Sequence, residues 1–292
     1  MRTLLAVAAA CVVSLAVPAM SQQPAASPPL RFAVVGDSGT GGRQQYEIAR
    51  QMKTARERFP FEFVLMLGDN IYGSQTPRDF QAKFERPFAD LLEAGVRFYA
   101  ALGNHDESAQ RFYSPFNMHG ERYYTFSPRP DVRIISLDSS RMDDAQVRWL
   151  DEELSRPAPA WTIVFMHHPL YSSGRRHGPS LDLRHTLEPL FAKGGVRIVL
   201  AGHEHFYERL QPQQGIQYFI SGASAKLRKG NIRESGQTAC GFDRDNSFML
   251  MELSDDSLRF ESISRDGRVV DRGTVSRDPQ EAGALEACAT DL

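Results

Sequence analysis

Cysteine is scarce, with three residues in 292, and none stands in a Cys-x-x-Cys or Cys-His spacing, which argues against a thiolate zinc site. An excess of charge of one sign is also missing. Lys and Arg number 34 against 36 Asp and Glu, for a formal net charge of -2. The chain therefore lacks the broad basic footprint that nucleic acid binding needs, and no nucleic acid partner is expected. No apolar run reaches the ~18 to 20 residues that cross a bilayer, so no membrane span is expected. There is no internal repeat, and no second linker after residue 29. At 41% hydrophobic and 24% charged, the composition is too balanced for a disordered chain and suits a globular one.

The first residues read as a signal peptide spanning 1–21. Arg2 supplies the positive start, Leu4 to Val17 is apolar but short of a span, and Ala19-Met20-Ser21 offers small residues for cleavage. Residues 22–29, QQPAASPP, then form a spacer without periodicity. This places the mature chain outside the cell or in a periplasm. Cleavage would remove Cys11 and leave Cys240 and Cys288, which can pair in an oxidising compartment for roughly 4 kcal/mol on the chain-entropy model.

One pattern recurs beyond the spacer: a β-branched or aromatic apolar run, then, in four of the five cases, Gly, then polar residues that can bind metals. The runs are RFAVVGDSG, FEFVLMLGDNIY, VRFYAALGNHD, WTIVFMHHP and VRIVLAGHEH. Such runs suit strands buried on both faces. Between them, Gln44 to Phe59 reads as a helix, as do Asp79 to Ala94, with Phe80, Phe84, Phe88, Leu91 and Leu92 at helical intervals, and Leu181 to Phe191. The alternation predicts an α/β fold with a largely parallel core sheet, whose ligands bind beyond the carboxyl ends of the strands. After about residue 213, short strands joined by Asp/Ser/Gly turns suggest antiparallel hairpins forming a second sheet packed on the first.

Five motifs carry the chemistry: Gly36-Asp37-Ser38-Gly39, Gly68-Asp69-Asn70-Ile71-Tyr72, Gly103-Asn104-His105-Asp106, Val164-Phe165-Met166-His167 and Gly202-His203-Glu204-His205. In that order, each after a strand, they resemble the calcineurin-like metallophosphoesterase superfamily, and more narrowly the small, mammalian-type purple acid phosphatases, over roughly residues 31–225. The resemblance implies an α/β fold of two packed mixed β-sheets flanked by helices, a four-layer αββα sandwich, as one catalytic domain over 30–292. It implies two metal ions. Asp37, Tyr72 and His205 would hold the first, an Fe(III) that the phenolate of Tyr72 would colour. Asn104, His167 and His203 would hold the second, Fe(II), Zn or Mn, and Asp69 would bridge the pair. The physical chemistry is compatible. A shared carboxylate offsets the repulsion of two cations ~3.5 to 4 Å apart. A neutral Asn oxygen suits a divalent ion, and hard anionic oxygens suit a more highly charged one.

The resemblance also assigns His105 to the leaving group or a phosphate oxygen, and His177 in RRHGPS to the substrate pocket, although its spacing from His167 is one residue longer than the family's. His168 reads as a packing group beside its neighbour, and His119 and His185 have no motif. Arg175 and Arg176 are candidates for hydrogen bonds to an anionic substrate. Gln146-Val147-Arg148-Trp149-Leu150 resembles a core-packing helix of the family. The implied activity is hydrolysis of a small phosphomonoester by a metal-activated hydroxide, by a monomeric, acid-phosphatase-like enzyme. A phosphodiesterase of the same superfamily is the alternative. A non-catalytic scaffold on the same fold would be expected to have lost some ligands, and every one is present.

Overall fold

The computed structural model describes residues 28–233, 235–281, 283 and 288; the expected signal peptide, 1–21, and residues 22–27 of the spacer lie outside them. Thirteen strands of the described chain form two sheets. The first has six, in the order β13-β12-β11-β1-β2-β3, and the second seven, in the order β10-β8-β9-β7-β6-β5-β4. Their ranges are β1 Leu30–Val35, β2 Phe63–Met66, β3 Arg97–Ala100, β4 Tyr124–Arg129, β5 Val132–Ser136, β6 Trp161–Met166 and β7 Ile198–Ala201. They continue with β8 Tyr207–Leu210, β9 Gln217–Ser221, β10 Thr238–Phe242, β11 Ser247–Leu253, β12 Ser257–Ser264 and β13 Val269–Ser276.

Continuous apolar runs form these strands because both faces are covered. In β6, Trp161, Ile163 and Phe165 point into the core between the sheets, while Val164 and Met166 pack with Leu150 and Leu154 of α4 (Asp144–Ser155) and Leu187 and Phe191 of α5 (Leu181–Lys193). On the other side, Ile48 and Met52 of α1 (Arg43–Arg58) join the core of the six-stranded sheet. Helix, sheet, sheet, helix is the four-layer order that the motif resemblance implies.

Three expectations differ from what is found. Neither sheet is largely parallel: β1-β2-β3 and β5-β6-β7-β9 are parallel, and antiparallel strands extend both. Nor do the strands after residue 213 make a sheet of their own. β9 and β10 complete the seven-stranded sheet, and β11 returns to pair with β1, Phe32 opposite Met251. A strand buried on both faces needs backbone partners on both edges, and the late strands supply them. Finally, the helix expected over 79–94 is broken into α2 (Pro77–Phe80), a π turn at Gln81–Glu85 and α3 (Ala89–Glu93). Pro87 has no N–H for the carbonyl of Lys83, which instead accepts from Gln45 Nε2 at 2.6 Å.

The two sheets are also tied by a buried charge cluster. Arg209 of β8 donates to Asp271 of β13 through Nε at 2.7 Å and Nη2 at 3.1 Å, and Tyr207 Oη donates to the same carboxylate at 2.6 Å. Cys240 of β10 and Cys288 form a disulfide, with Cα atoms 5.3 Å apart. Among the described residues, no helix is long and apolar enough to cross a membrane. Replacing Asp271 by Ala strands the Arg209 guanidinium in the core; unfolding in urea is expected to show a loss of about 3–5 kcal/mol.

Candidate metal centre

Three strands of different position end in the same local move. After β1, β2 and β7 the chain passes a glycine and then places a non-glycine residue in the left-handed region: Asp37 at φ 55°, Asp69 at φ 52° and His203 at φ 69°. Each such residue costs of order 1–3 kcal/mol and persists only where surrounding contacts hold it. Asp37 Oδ2 accepts from the His203 amide at 2.9 Å, so these two strained turns brace one another, and Asp69 Oδ1 accepts from the amide of His105 in the loop after β3 at 3.0 Å. The glycine before His203 is required by contact: a Cβ on Gly202 would lie 2.7 Å from Asp37 Oδ2.

These turns do not belong to one sheet. Asp37, Asp69 and Asn104 follow β1, β2 and β3 of the six-stranded sheet, whereas His167, His203 and His205 follow β6 and β7 of the other. The carboxyl ends of both sets of parallel strands converge, and two triangles of donor atoms result. Tyr72 Oη is 3.1 Å from Asp37 Oδ1 and 3.4 Å from His205 Nε2, and His205 Nε2 is 3.3 Å from Asp37 Oδ1. Asn104 Oδ1 is 3.0 Å from both His167 Nε2 and His203 Nδ1, which are 3.2 Å apart. Asp69 belongs with both. Its Oδ1 lies 3.4 Å from His167 Nε2, and its carboxylate falls within 4.8 Å of ligand atoms of Asp37 and His205.

The donor set fits a pair of cations. His167 Nδ1 faces the Leu67 carbonyl at 2.9 Å, an acceptor only, so this nitrogen carries the proton. Its Nε2 therefore directs a lone pair at the Asn104 oxygen, an arrangement that repels unless a cation lies between them. Spacings of about 3 Å are those of adjacent ligands around an ion bound at about 2.1 Å. Electrostatics points the same way. Burial and the charge of Asp69 push the Asp37 pKa well up, and burial with the charges of Asp37 and Asp69 pushes that of Tyr72 up. Burial holds His203 down to about 2 and His205 to about 3, and lowers His167 strongly. Neutral imidazoles beside crowded carboxylates are ligands for metal.

Asp37, Asp69 and His167 form a buried floor, while Asn104, His105 and His177 are exposed at its rim. The His105 ring packs on Tyr72 with centroids 4.9 Å apart, and the His177 ring lies 4.3 Å from that of His203. His168 stands closer to the chemistry than a packing role suggests. It forms a possible metal-binding group with His167 and His203, and its Nδ1 is 3.0 Å from Ser139 Oγ. His185 is exposed on α5, away from this set.

A family model for calcineurin-like phosphoesterases matches residues 30–207. The chain belongs to the calcineurin-like phosphoesterase family. With that family it is a metal-dependent phosphoric ester hydrolase. It is 27% identical to mouse tartrate-resistant acid phosphatase type 5, over 90% of this chain and 95% of that protein. It is likewise 27% identical to purple acid phosphatase 17 of Arabidopsis thaliana, over 69% and 70% of the two chains. Among solved structures it resembles GAP50, the anchor in the inner membrane complex of Plasmodium, with a TM-score of 0.74 and 18% identity over 90% of each chain; that likeness shows the fold alone.

Around this phosphoesterase centre stand supporting groups that sequence reading did not single out. Asp106 accepts from the amides of Gly103 (2.8 Å), Asn70 (3.1 Å) and Ile71 (3.1 Å) and from Gln110 Nε2 (2.7 Å), which joins the loops after β2 and β3. Burial, then the charge of Asp69, raises its pKa to about 7. Gln75 spans the same loops, donating to the His105 carbonyl at 2.7 Å and accepting from the Glu107 amide at 2.9 Å. Buried Glu204 accepts from the Gly178 amide at 2.7 Å, holding the loop of His177 against the His203–His205 turn. Gln146 is less a packing residue than a clasp, bonded to the amide and carbonyl of Asp138 at 2.8 and 3.0 Å. The acids inside the Gly-Asn-His-Asp and Gly-His-Glu-His motifs were the available signals for Asp106 and Glu204; nothing local marks Gln75.

Two substitutions separate ligand from support. Asp69→Asn is expected to leave fewer than two metals per chain by elemental analysis, and retention of two would sink its bridging assignment. Asp106→Asn, which cannot accept at both oxygens, is expected to weaken metal binding by about 10- to 100-fold in chelator competition while the fold persists.

Proposed function

We propose that this chain is a binuclear-metal phosphatase that hydrolyses phosphomonoesters in the manner of purple acid phosphatases, exported to a periplasm or beyond the cell. The observation that carries the reading is the pair of donor triangles sharing Asp69, with Tyr72 in one of them. The phenol and carboxylate of Tyr72 and Asp37 suit Fe(III), and the Asn104-His167-His203 set suits Fe(II), Zn or Mn. The Cys240–Cys288 disulfide supports export, because such bonds persist in oxidising compartments.

The chemistry two bound ions would supply is neutralisation of phosphoryl oxygens and acidification of a water as nucleophile. The chain's own groups do the rest. Asp69, within reach of both donor triangles, would help hold both ions, and the His167 proton on the Leu67 carbonyl keeps the Nε2 lone pair free for a ligand role. His105, fixed by its amide on Asp69 and its carbonyl on Gln75, stands exposed where a leaving group departs and can protonate it. His177 faces the same rim. A scaffold without catalysis has no use for a complete ligand set held in strained turns.

Turnover of p-nitrophenyl phosphate against its bis-ester tests the reading. A strong monoester preference is expected; a strong diester preference would place the chain among phosphodiesterases. His105→Ala is expected to keep both metals yet lose roughly 10²-fold or more in turnover of an ester with a poor leaving group. Near-normal turnover would remove His105 from that role.

A further inference from the structure

His168 stands among the candidate ligands without a role in either donor triangle. It comes directly after His167 in the loop that follows β6. Its ring centroid lies 4.5 Å from that of His203 and 4.9 Å from that of His167. One nitrogen of each of the three rings lies within 4.8 Å of the others. Distance alone would therefore allow a third imidazole ligand. The hydrogen bonds around Ser139 give it a different part.

Ser139 is buried in the loop after β5, the parallel neighbour of β6. Its Oγ accepts from the amides of His167 at 3.2 Å and His168 at 2.9 Å, and lies 3.0 Å from His168 Nδ1. A hydroxyl has two lone pairs and one hydrogen. The amides can only donate, so they take both lone pairs, and the hydroxyl hydrogen is left for Nδ1. Nδ1 is thus the acceptor, and the proton of the ring sits on Nε2, at its far edge. A charged ring would carry a proton on Nε2 as well. His168 therefore has no free lone pair to give a metal, the reverse of His167, whose Nδ1 proton on the Leu67 carbonyl frees Nε2.

Among the described residues the His168 Nε2–H has no acceptor, yet it is not one of the buried polar atoms left without a partner; the ring is half-buried and this edge is open to water. Resting on the phosphatase reading above, we infer that His168 donates from Nε2 to an oxygen of the phosphoryl group held at the metal centre, on the His203 side. A donor fixed beside bound cations is complementary to the anion those cations hold. Ser139 grips His168 at both its amide and Nδ1, so the donor is oriented before substrate arrives. The His177 ring flanks His203 as well, at 4.3 Å, and the Ser180 amide ties its loop to the Pro169 carbonyl at 2.8 Å. Two rim histidines thus meet the same region of substrate from one braced wall.

The test uses the full chain loaded with zinc, inorganic phosphate as the probe, and three variants. His168→Phe keeps a ring without a donor, His168→Asn keeps an N–H near the place of Nδ1, and His168→Gln keeps one near the place of Nε2. Phosphate affinity by calorimetric titration, and kcat/KM for p-nitrophenyl phosphate, are each expected to fall by about 10- to 100-fold in His168→Phe and His168→Asn. His168→Gln is expected to recover part of that loss, and all three to keep the wild-type metal content. Loss of metal would overturn the inference and make His168 a ligand. Unchanged phosphate affinity, or His168→Gln no better than His168→Asn, would overturn it in favour of packing. Should His168→Phe fail to fold, the Asn and Gln variants carry the comparison. Long-range 1H–15N spectra of the wild type read the tautomer directly, and a His168 ring protonated on Nδ1 with Nε2 bare would also overturn it. If the wild type leaves p-nitrophenyl phosphate intact, the phosphatase reading fails separately, and the phosphate titration still decides the role of His168.

Discussion

The Asp37 and Asp69 carboxylates are buried within 4.8 Å of each other, beside imidazoles that burial keeps neutral, a crowding of negative charge that positive charge between them would relieve. Several other features follow from that constraint. The His167 tautomer is set by a carbonyl on the far side of its ring, so that its free lone pair points inward. Asn104, rather than a third acid, completes the second triangle, which limits the negative charge the fold must enclose. Lys226 approaches from outside the ligand set, its ammonium 4.5 Å from the centroid of the Tyr72 ring.

Holding such groups together needs backbone that would not form alone. Three of the candidate ligands, Asp37, Asp69 and His203, occupy left-handed conformations; the Asp37 carboxylate accepts from the His203 amide across the two sheets, and that of Asp69 from the His105 amide in the loop after β3. The sheets supply the rigidity: their shared core and the Arg209–Asp271–Tyr207 cluster lock the strand ends relative to one another. Local strain at the centre is therefore supported by packing remote from it. Asp106, Gln75 and Glu204 are intermediates in that transfer, each tying a ligand-bearing turn to a neighbouring loop.

Much of the centre was legible because its signals are local. A strand, a glycine and a polar ligand lie within a few residues of one another, and the same grammar recurs along the chain. Helix patterns were read less well where a single residue changed hydrogen bonding. Pro87 broke a spacing that looked continuous, and the freed Lys83 carbonyl found Gln45, 38 residues distant in sequence. Gln75 carried no signal at all, since an amide in a polar loop is ordinary until its partners are known.

The amino-acid order by itself determined which side chains can bind metal, that they follow strands, and that the fold alternates strand and helix, because these depend on residue type and short-range periodicity. Only the tertiary structure decided that the candidate ligands come from two sheets, that the last strands divide between those sheets, and that His168 and Lys226 stand beside the centre. Those facts depend on which strand edges find backbone partners and on which groups burial deprives of water. Both are set by contacts between residues far apart in the chain.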